Sequence, residues 1–142
     1  TPPHPEREVL RICLQEKKNL ERIKEELSGI EWTVEEYKLF FTRLLEVGEE
    51  ENWPPPASLF PAELRSIYTE LRAENELGLP PGDLEGCCRR LRQLQLSREI
   101  RQIQQEVAAA AEDSPELQEK LALLNELHRR MREEFPSFSG LR

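Results

Sequence analysis

The strongest constraint on the fold of this chain is the apolar periodicity of residues 84–135, which predicts two long helices separated by a short break at residues 112–115. Along the first segment, apolar side chains recur every three or four residues, as on one face of an amphipathic helix. The stripe turns by roughly 200° between Leu94 and Leu96, at about 100° per residue. It comprises Leu84, Cys87, Leu91 and Leu94, and then Leu96, Ile100, Ile103 and Val107. This helix is therefore predicted to pack against two different partners.

The second segment supplies a partner for the later stripe. Its apolar positions follow a seven-residue rhythm through Leu117, Leu121, Leu124, His128, Met131 and Phe135. If the chain folds back at Asp113 and Ser114, the register pairs Val107 with Leu121, Ile103 with Leu124, Ile100 with His128, and Leu96 with Met131. This nearly symmetric register predicts an antiparallel helical hairpin.

Composition and length indicate an all-α fold with one main core. Leu, Glu, Arg and Gln dominate, and charged residues make up 34% of the chain. A length of 142 residues suits a single core with a small appended subdomain. We predict a multi-helix bundle, a long connecting helix and a C-terminal antiparallel helical hairpin. The predicted segments are a linker end at 1–5, the bundle at 6–95, the hairpin at 96–135 and a tail at 136–142.

Capping signals mark the helices of the predicted bundle. Asn19 is a candidate N-cap of the second helix, and Thr33 with Glu36 has the spacing of a capping box that opens the third. Pro61 suits the first position of a fourth helix. Asp83 is a candidate cap of the long helix that follows.

The third helix carries the strongest apolar cluster, which predicts that it lies at the centre of the core. Its members are Tyr37, Phe40, Phe41, Leu44 and Leu45. A loop rich in Glu and Pro follows at residues 48–56. Trp53 in this loop is expected to hold the loop on the bundle rather than to contact a partner.

The sequence offers little for catalysis or for binding a metal or cofactor. It has no glycine-rich phosphate loop, no nucleophile motif and no workable set of metal ligands, so we predict no catalytic residues, no metal and no cofactor. A net charge of -8 disfavours general nucleic-acid binding. Three cysteines, two of them adjacent, favour thiols over disulfides. With no membrane span or signal peptide, a cytoplasmic location is expected.

The candidate contacts for a protein partner all lie near the C-terminus. Leu123 and Leu127, one turn apart and bordered by Arg130, occupy a face that the predicted pairing leaves unburied. Phe138 follows Pro136, which is expected to end the helix. An apolar side chain at this position needs either the bundle or a partner to bury it. Carboxylates crowd the break between the helices. The predicted partner-binding residues are Glu112, Asp113, Glu116, Glu119, Leu123, Leu127, Arg130 and Phe138.

Two interpretations of His128 are open at this point. Opposite Ile100, a desolvated imidazole would resist protonation and act as a pH switch. Alternatively, His128 lies at the edge of the seam and Leu127 does the packing.

Residues 84–131, from LEGCCRRLRQ to LALLNELHRRM, resemble the C-terminal helicase-binding region of bacterial DnaG-type DNA primases. The shared pattern is a Cys-containing helix start, an Arg- and Leu-rich run, a break and a Leu-rich return helix. The segments REVLRICLQ, NLERIKEEL and VEEYKLFFTRLLE resemble the opening helices of the same region. The resemblance rests on apolar rhythm and helix order and covers nearly the whole chain.

The resemblance implies a helical bundle joined by a long helix to a terminal hairpin. It also implies a non-catalytic module that binds the hexameric DnaB-type helicase, recruits primase to the replication fork and modulates helicase activity. Such a module is expected to be a monomer in isolation and not to bind nucleic acid directly. One alternative is a scaffold that homodimerises through the hairpin. Another is nucleic-acid binding through the arginines at the base of the hairpin.

Overall fold

A computed structural model describes residues 4–78 and 83–136, and every regular element in these ranges is helical. The helices are α1 (Pro5–Gln15), α2 (Lys17–Glu26), α3 (Glu35–Glu46), α4 (Ala62–Glu76), α5 (Leu84–Ala109) and α6 (Pro115–Glu134), with a 3-10 turn at Ala57–Leu59. The predicted all-α class is confirmed. The expectations for residues 1–3, for the turn at 79–82 and for Phe138 in the tail lie outside the described residues.

The chain divides into two compact units between Leu91 and Arg92, within α5. We call them the first unit and the second unit. Each unit has its own buried cluster. Helix α5 contributes Cys88 and Leu91 to the cluster of the first unit, and Leu96 and Ile100 to the cluster of the second unit. The predicted turn of the apolar stripe, from Leu94 to Leu96, lies between these two pairs.

The core of the first unit forms where α1 packs on α2, α3 and α4. Phe40 of α3 is fully buried, and its ring stacks on Phe60 with centroids 5.0 Å apart. Tyr68 of α4 adds a third ring, 4.7 Å from Phe60. Phe40, Phe41 and Leu44 are buried as predicted, but the prediction that α3 is central is wrong: α1 is the helix that packs on the other three, and Leu45, which was counted in the α3 cluster, is exposed.

Side chains from three other segments cap the C-terminal end of α1. Because α1 stops at Gln15, its last carbonyl groups have no partner inside the helix. Asn19 Nδ2 donates to Ile12 O and Trp53 Nε1 donates to Cys13 O, at 3.0 and 2.8 Å. Asn75 Nδ2 donates to Arg11 O, one residue earlier, at 3.2 Å. The expected role of Trp53 in holding its loop on the bundle is confirmed. Asn19, by contrast, is not the N-cap of α2, which begins two residues earlier at Lys17.

A carboxylate from α1 organises the start of α3. Glu6 is almost fully buried, and its Oε2 accepts hydrogen bonds from Thr33 N and Thr33 Oγ1 at 2.9 and 2.7 Å. Its Oε1 accepts from Val34 N at 3.2 Å. The predicted capping box is wrong, because α3 begins at Glu35 with Val34 as its N-cap and no side-chain cap. The Thr33 hydroxyl, which a capping box would require, donates its hydrogen bond to Glu6 instead.

Replacing Glu6 by alanine is expected to lower the free energy of unfolding of the first unit by about 1–3 kcal/mol, because the amide groups of Thr33 and Val34 lose their acceptor. Chemical denaturation followed by tryptophan fluorescence measures this change. Glu36→Ala is the matched control: Glu36 is exposed in the first turn of α3, and its removal is expected to cost less than about 1 kcal/mol. If Glu36→Ala lowered the free energy of unfolding more than Glu6→Ala, the capping-box prediction would be supported instead.

One further predicted cap is confirmed, and one predicted helix start differs by a residue. Asp83 Oδ1 accepts from Gly86 N at 3.0 Å, which confirms Asp83 as a cap of α5. Pro61 occupies the N-cap position of α4, one residue before the predicted one.

Candidate partner-docking surface

The second unit is built around the turn between α5 and α6. Asp113 adopts a left-handed backbone conformation with φ of 59°, a region where Asp is tolerated better than most residues. Ser114 then caps α6, since its Oγ accepts from Leu117 N at 3.0 Å. Pro115 takes the first helical position, where its missing N–H costs nothing. The break predicted at residues 112–115 is therefore a five-residue turn, 110–114.

Side chains of α5 and α6 share the buried cluster of the second unit. Leu96, Ile100, Leu127, Met131 and Phe135 are buried there, and Ile103 and Leu124 pack against them. Nearer the turn, Glu106 Oε1 lies 2.6 Å from Lys120 Nζ. The hydrogen bond to Glu106 raises the pKa of Lys120, and the nearby carboxylates of Glu116 and Glu119 add to this effect.

Leu127 is part of the core of the second unit, so the prediction that it lies on an unburied face is wrong. It is only 4% exposed. The error arose because a strict heptad defines a narrow stripe, whereas helices in small units bury a face at least about 100° wide. At about 100° per residue, Leu127 lies roughly 60° from Leu124 around α6, with Met131 between them, so all three share such a face. His128 is half-buried, in agreement with the interpretation that Leu127 does the packing.

Leu123 matches its prediction, since it is 44% exposed. Its surroundings are charged, but most of these charges are paired. Lys120 is bound to Glu106, and Arg130 Nε lies 3.4 Å from Glu134 Oε2. Arg130 is thus exposed as predicted and already has a carboxylate partner.

The predicted carboxylates lie together at the turn end of the second unit. Glu112, Asp113, Glu116 and Glu119 are all exposed. Within residues 4–78 and 83–136, none of the four side-chain carboxylates accepts a hydrogen bond or forms an ion pair, although those of Glu116 and Glu119 help to raise the pKa of Lys120. We call this group the acidic end. It is a concentration of negative charge available to a cationic partner.

Sequence reasoning missed the exposure of Leu121. The heptad placed it in the seam opposite Val107, yet it is 37% exposed. Val107 and Leu117 beside it are only half-buried. The run of small side chains at the end of α5, Ala108–Ala111, was the available signal, because alanine covers little of a facing leucine.

Among the described residues, no cluster of three or more His, Cys, Asp or Glu is arranged to hold a metal ion. Cys13 and Cys88 are buried, and burial raises the pKa of the Cys13 thiol well above its usual range. No helix in the described ranges is long and apolar enough to cross a membrane.

Some of the arginines that were considered for nucleic-acid binding are engaged within their own helix. Arg129 forms ion pairs with Glu126 and Glu133, and Arg130 with Glu134.

Comparison of the chain with protein-family models, with curated proteins and with solved structures gives no match.

Proposed function

We propose that this chain is a non-catalytic interaction module of a bacterial DNA primase that binds the hexameric replicative helicase through its second unit. In this proposal the first unit is a helical bundle, α5 connects it to the second unit, and α5 and α6 form an antiparallel hairpin. The module recruits primase to the replication fork and modulates the helicase. That role would place it in the cytoplasm.

The observation that carries the proposal is the combination of Leu123 with the acidic end on one small unit. Leu123 is a large apolar side chain exposed beside unpaired carboxylates. Protein interfaces combine an apolar centre with a polar rim, and opposite charges on two partners steer their encounter. The resemblance to helicase-binding regions of primases names the partner. Arg130 belongs to the rim of the same site.

The direct test is binding of the chain to a cognate replicative helicase hexamer, measured by calorimetry and gel filtration. A complex is expected at micromolar concentrations. If no complex forms at concentrations on the order of tens of micromolar, the proposal fails.

The acidic end gives a sharper expectation. The double variant Glu116→Lys, Glu119→Lys is expected to weaken the complex by about tenfold, because two attractive charges become repulsive. The matched control is Glu21→Lys, Glu25→Lys on α2, which makes the same charge change at exposed positions of the first unit. The difference between the two variants is expected to shrink as salt rises. Equal effects of the two variants would show that net charge, not the acidic end, governs binding.

The alternative is a scaffold that homodimerises through the second unit. Leu121 and Leu123, both exposed, are the observation that favours it. Sedimentation of the chain alone distinguishes the two functions, since the primase module is expected to sediment as a monomer.

A further inference from the structure

Burial in the second unit is concentrated away from the turn between α5 and α6. The buried members of its cluster are Leu96, Ile100, Leu127, Met131 and Phe135. At residues 101–126, by contrast, every side chain of α5, the turn and α6 is exposed or half-buried. We call residues 101–126 the turn half of the second unit, and residues 92–100 together with 127–136 the base half.

The turn half contains apolar side chains but does not bury them. Ile103, Val107, Leu117 and Leu124 are half-buried, and Leu121 is exposed. The hydrophobic free energy is roughly proportional to the apolar area removed from water. Each of these side chains therefore stabilises the packing of α5 on α6 less than a buried member of the base half does.

Polar contacts between the two helices add little to the turn half. Within residues 101–126, the one side-chain ion pair between α5 and α6 is that of Glu106 with Lys120, and both side chains are partly exposed. Ion pairs accessible to solvent contribute little to stability. The hydrogen bonds of Ser114, with Ala111 O and Leu117 N, hold the turn itself rather than the helices beside it.

We infer that the turn half opens locally while the base half and the first unit stay folded. Segments with few buried apolar contacts open at a lower free energy than the segments that form the core. In the open form, the end of α5 and the start of α6 lose their mutual contacts and unwind, because short helical segments without packing are marginal in water.

The turn half carries all four carboxylates of the acidic end. Glu112, Asp113, Glu116 and Glu119 therefore keep the arrangement described above only while this half is closed. The opening equilibrium thus controls how the acidic end is presented. Local opening is a property of the chain alone and does not depend on the proposed function.

Native-state hydrogen exchange of the whole chain, followed for each amide by NMR, tests this inference. On α6, the amides of residues 121–125 are expected to exchange at least about tenfold faster than those of residues 127–131. Fraying of helix ends predicts the opposite order, because residues 121–125 lie in the middle of α6 and residues 127–131 lie nearer its end at Glu134. Exchange at residues 121–125 that is as slow as at residues 127–131, or slower, would overturn the inference.

The same substitution in each half provides a matched pair. Leu117→Ala, in the turn half, is expected to accelerate exchange at residues 117–125 by about fivefold and at residues 127–131 by less than about twofold. Leu127→Ala removes a buried side chain and is expected to accelerate exchange at residues 127–131 by more than about thirtyfold. Leucine and alanine have similar helix propensities, so the exchange rates report packing. If Leu117→Ala accelerated exchange equally in both halves, the second unit would open as one cooperative unit, which contradicts local opening.

Discussion

Replacing Phe40 by alanine is expected to lower the free energy of unfolding of the first unit by about 3–5 kcal/mol. The ring is fully buried and stacks on Phe60, so its removal loses both the transfer free energy and the contacts around the cavity. Tryptophan fluorescence during chemical denaturation measures this change selectively. Both tryptophans, Trp32 and Trp53, belong to the first unit and pack against its core.

Leu39 is the natural control for Phe40 because it precedes it on α3 and is 45% exposed. Leu39→Ala is expected to change the free energy of unfolding by less than about 1 kcal/mol. The comparison tests which face of α3 meets the core. Similar losses for both variants would mean that α3 is rotated relative to the arrangement described above.

The second large effect is expected at Leu127, whose replacement by alanine should destabilise the second unit by about 2–5 kcal/mol. The buried cluster of this unit is small, so each member contributes a large share of its stability. Residues 92–142 contain no tryptophan. The expected signature is a loss of helical circular dichroism at low denaturant, before the tryptophan signal changes.

Leu123 is the matched control for Leu127, since the two leucines are one turn apart on the same helix. Leu123→Ala is expected to cost less than about 1 kcal/mol, because the side chain is 44% exposed. If Leu127→Ala also cost less than about 1 kcal/mol, the burial of Leu127 would be contradicted. The partner-binding assignment made from the sequence, which treated them as equivalent, would then regain support.

Local signals in the sequence identified most of the helices but not all of their ends. Asp83 caps α5 as predicted, because the acceptor and the amide it serves are three residues apart. The capping box at Thr33 had equally good local spacing. It was displaced because Glu6, 27 residues away in sequence, supplies a buried carboxylate to the same groups. Similarly, Asn19 looked like a cap of its own helix but donates to the end of α1.

Local signals also predicted part of the candidate docking surface, namely its acidic end. The acidic end is exposed, as expected, because burying four closely spaced carboxylates without cationic partners would cost a large desolvation free energy. The exposure of individual leucines was harder to predict. Leu121, Leu123 and Leu127 are identical in type and lie on one helix, and periodicity assigned only Leu123 correctly.

The amino-acid sequence was sufficient to predict the helical class, the turn between α5 and α6, and the change of the apolar stripe along α5. These properties follow from periodicity and turn chemistry, which act over a few residues. Two other properties depend on contacts between helices: Glu6 accepts hydrogen bonds at the start of α3, and Leu127 is buried while Leu121 is partly exposed. The physical reason is that a side chain's burial and hydrogen bonds depend on the size and position of groups brought close by folding. The spacing of residues along one helix specifies the direction in which a side chain points, but not which groups from other parts of the chain lie in that direction.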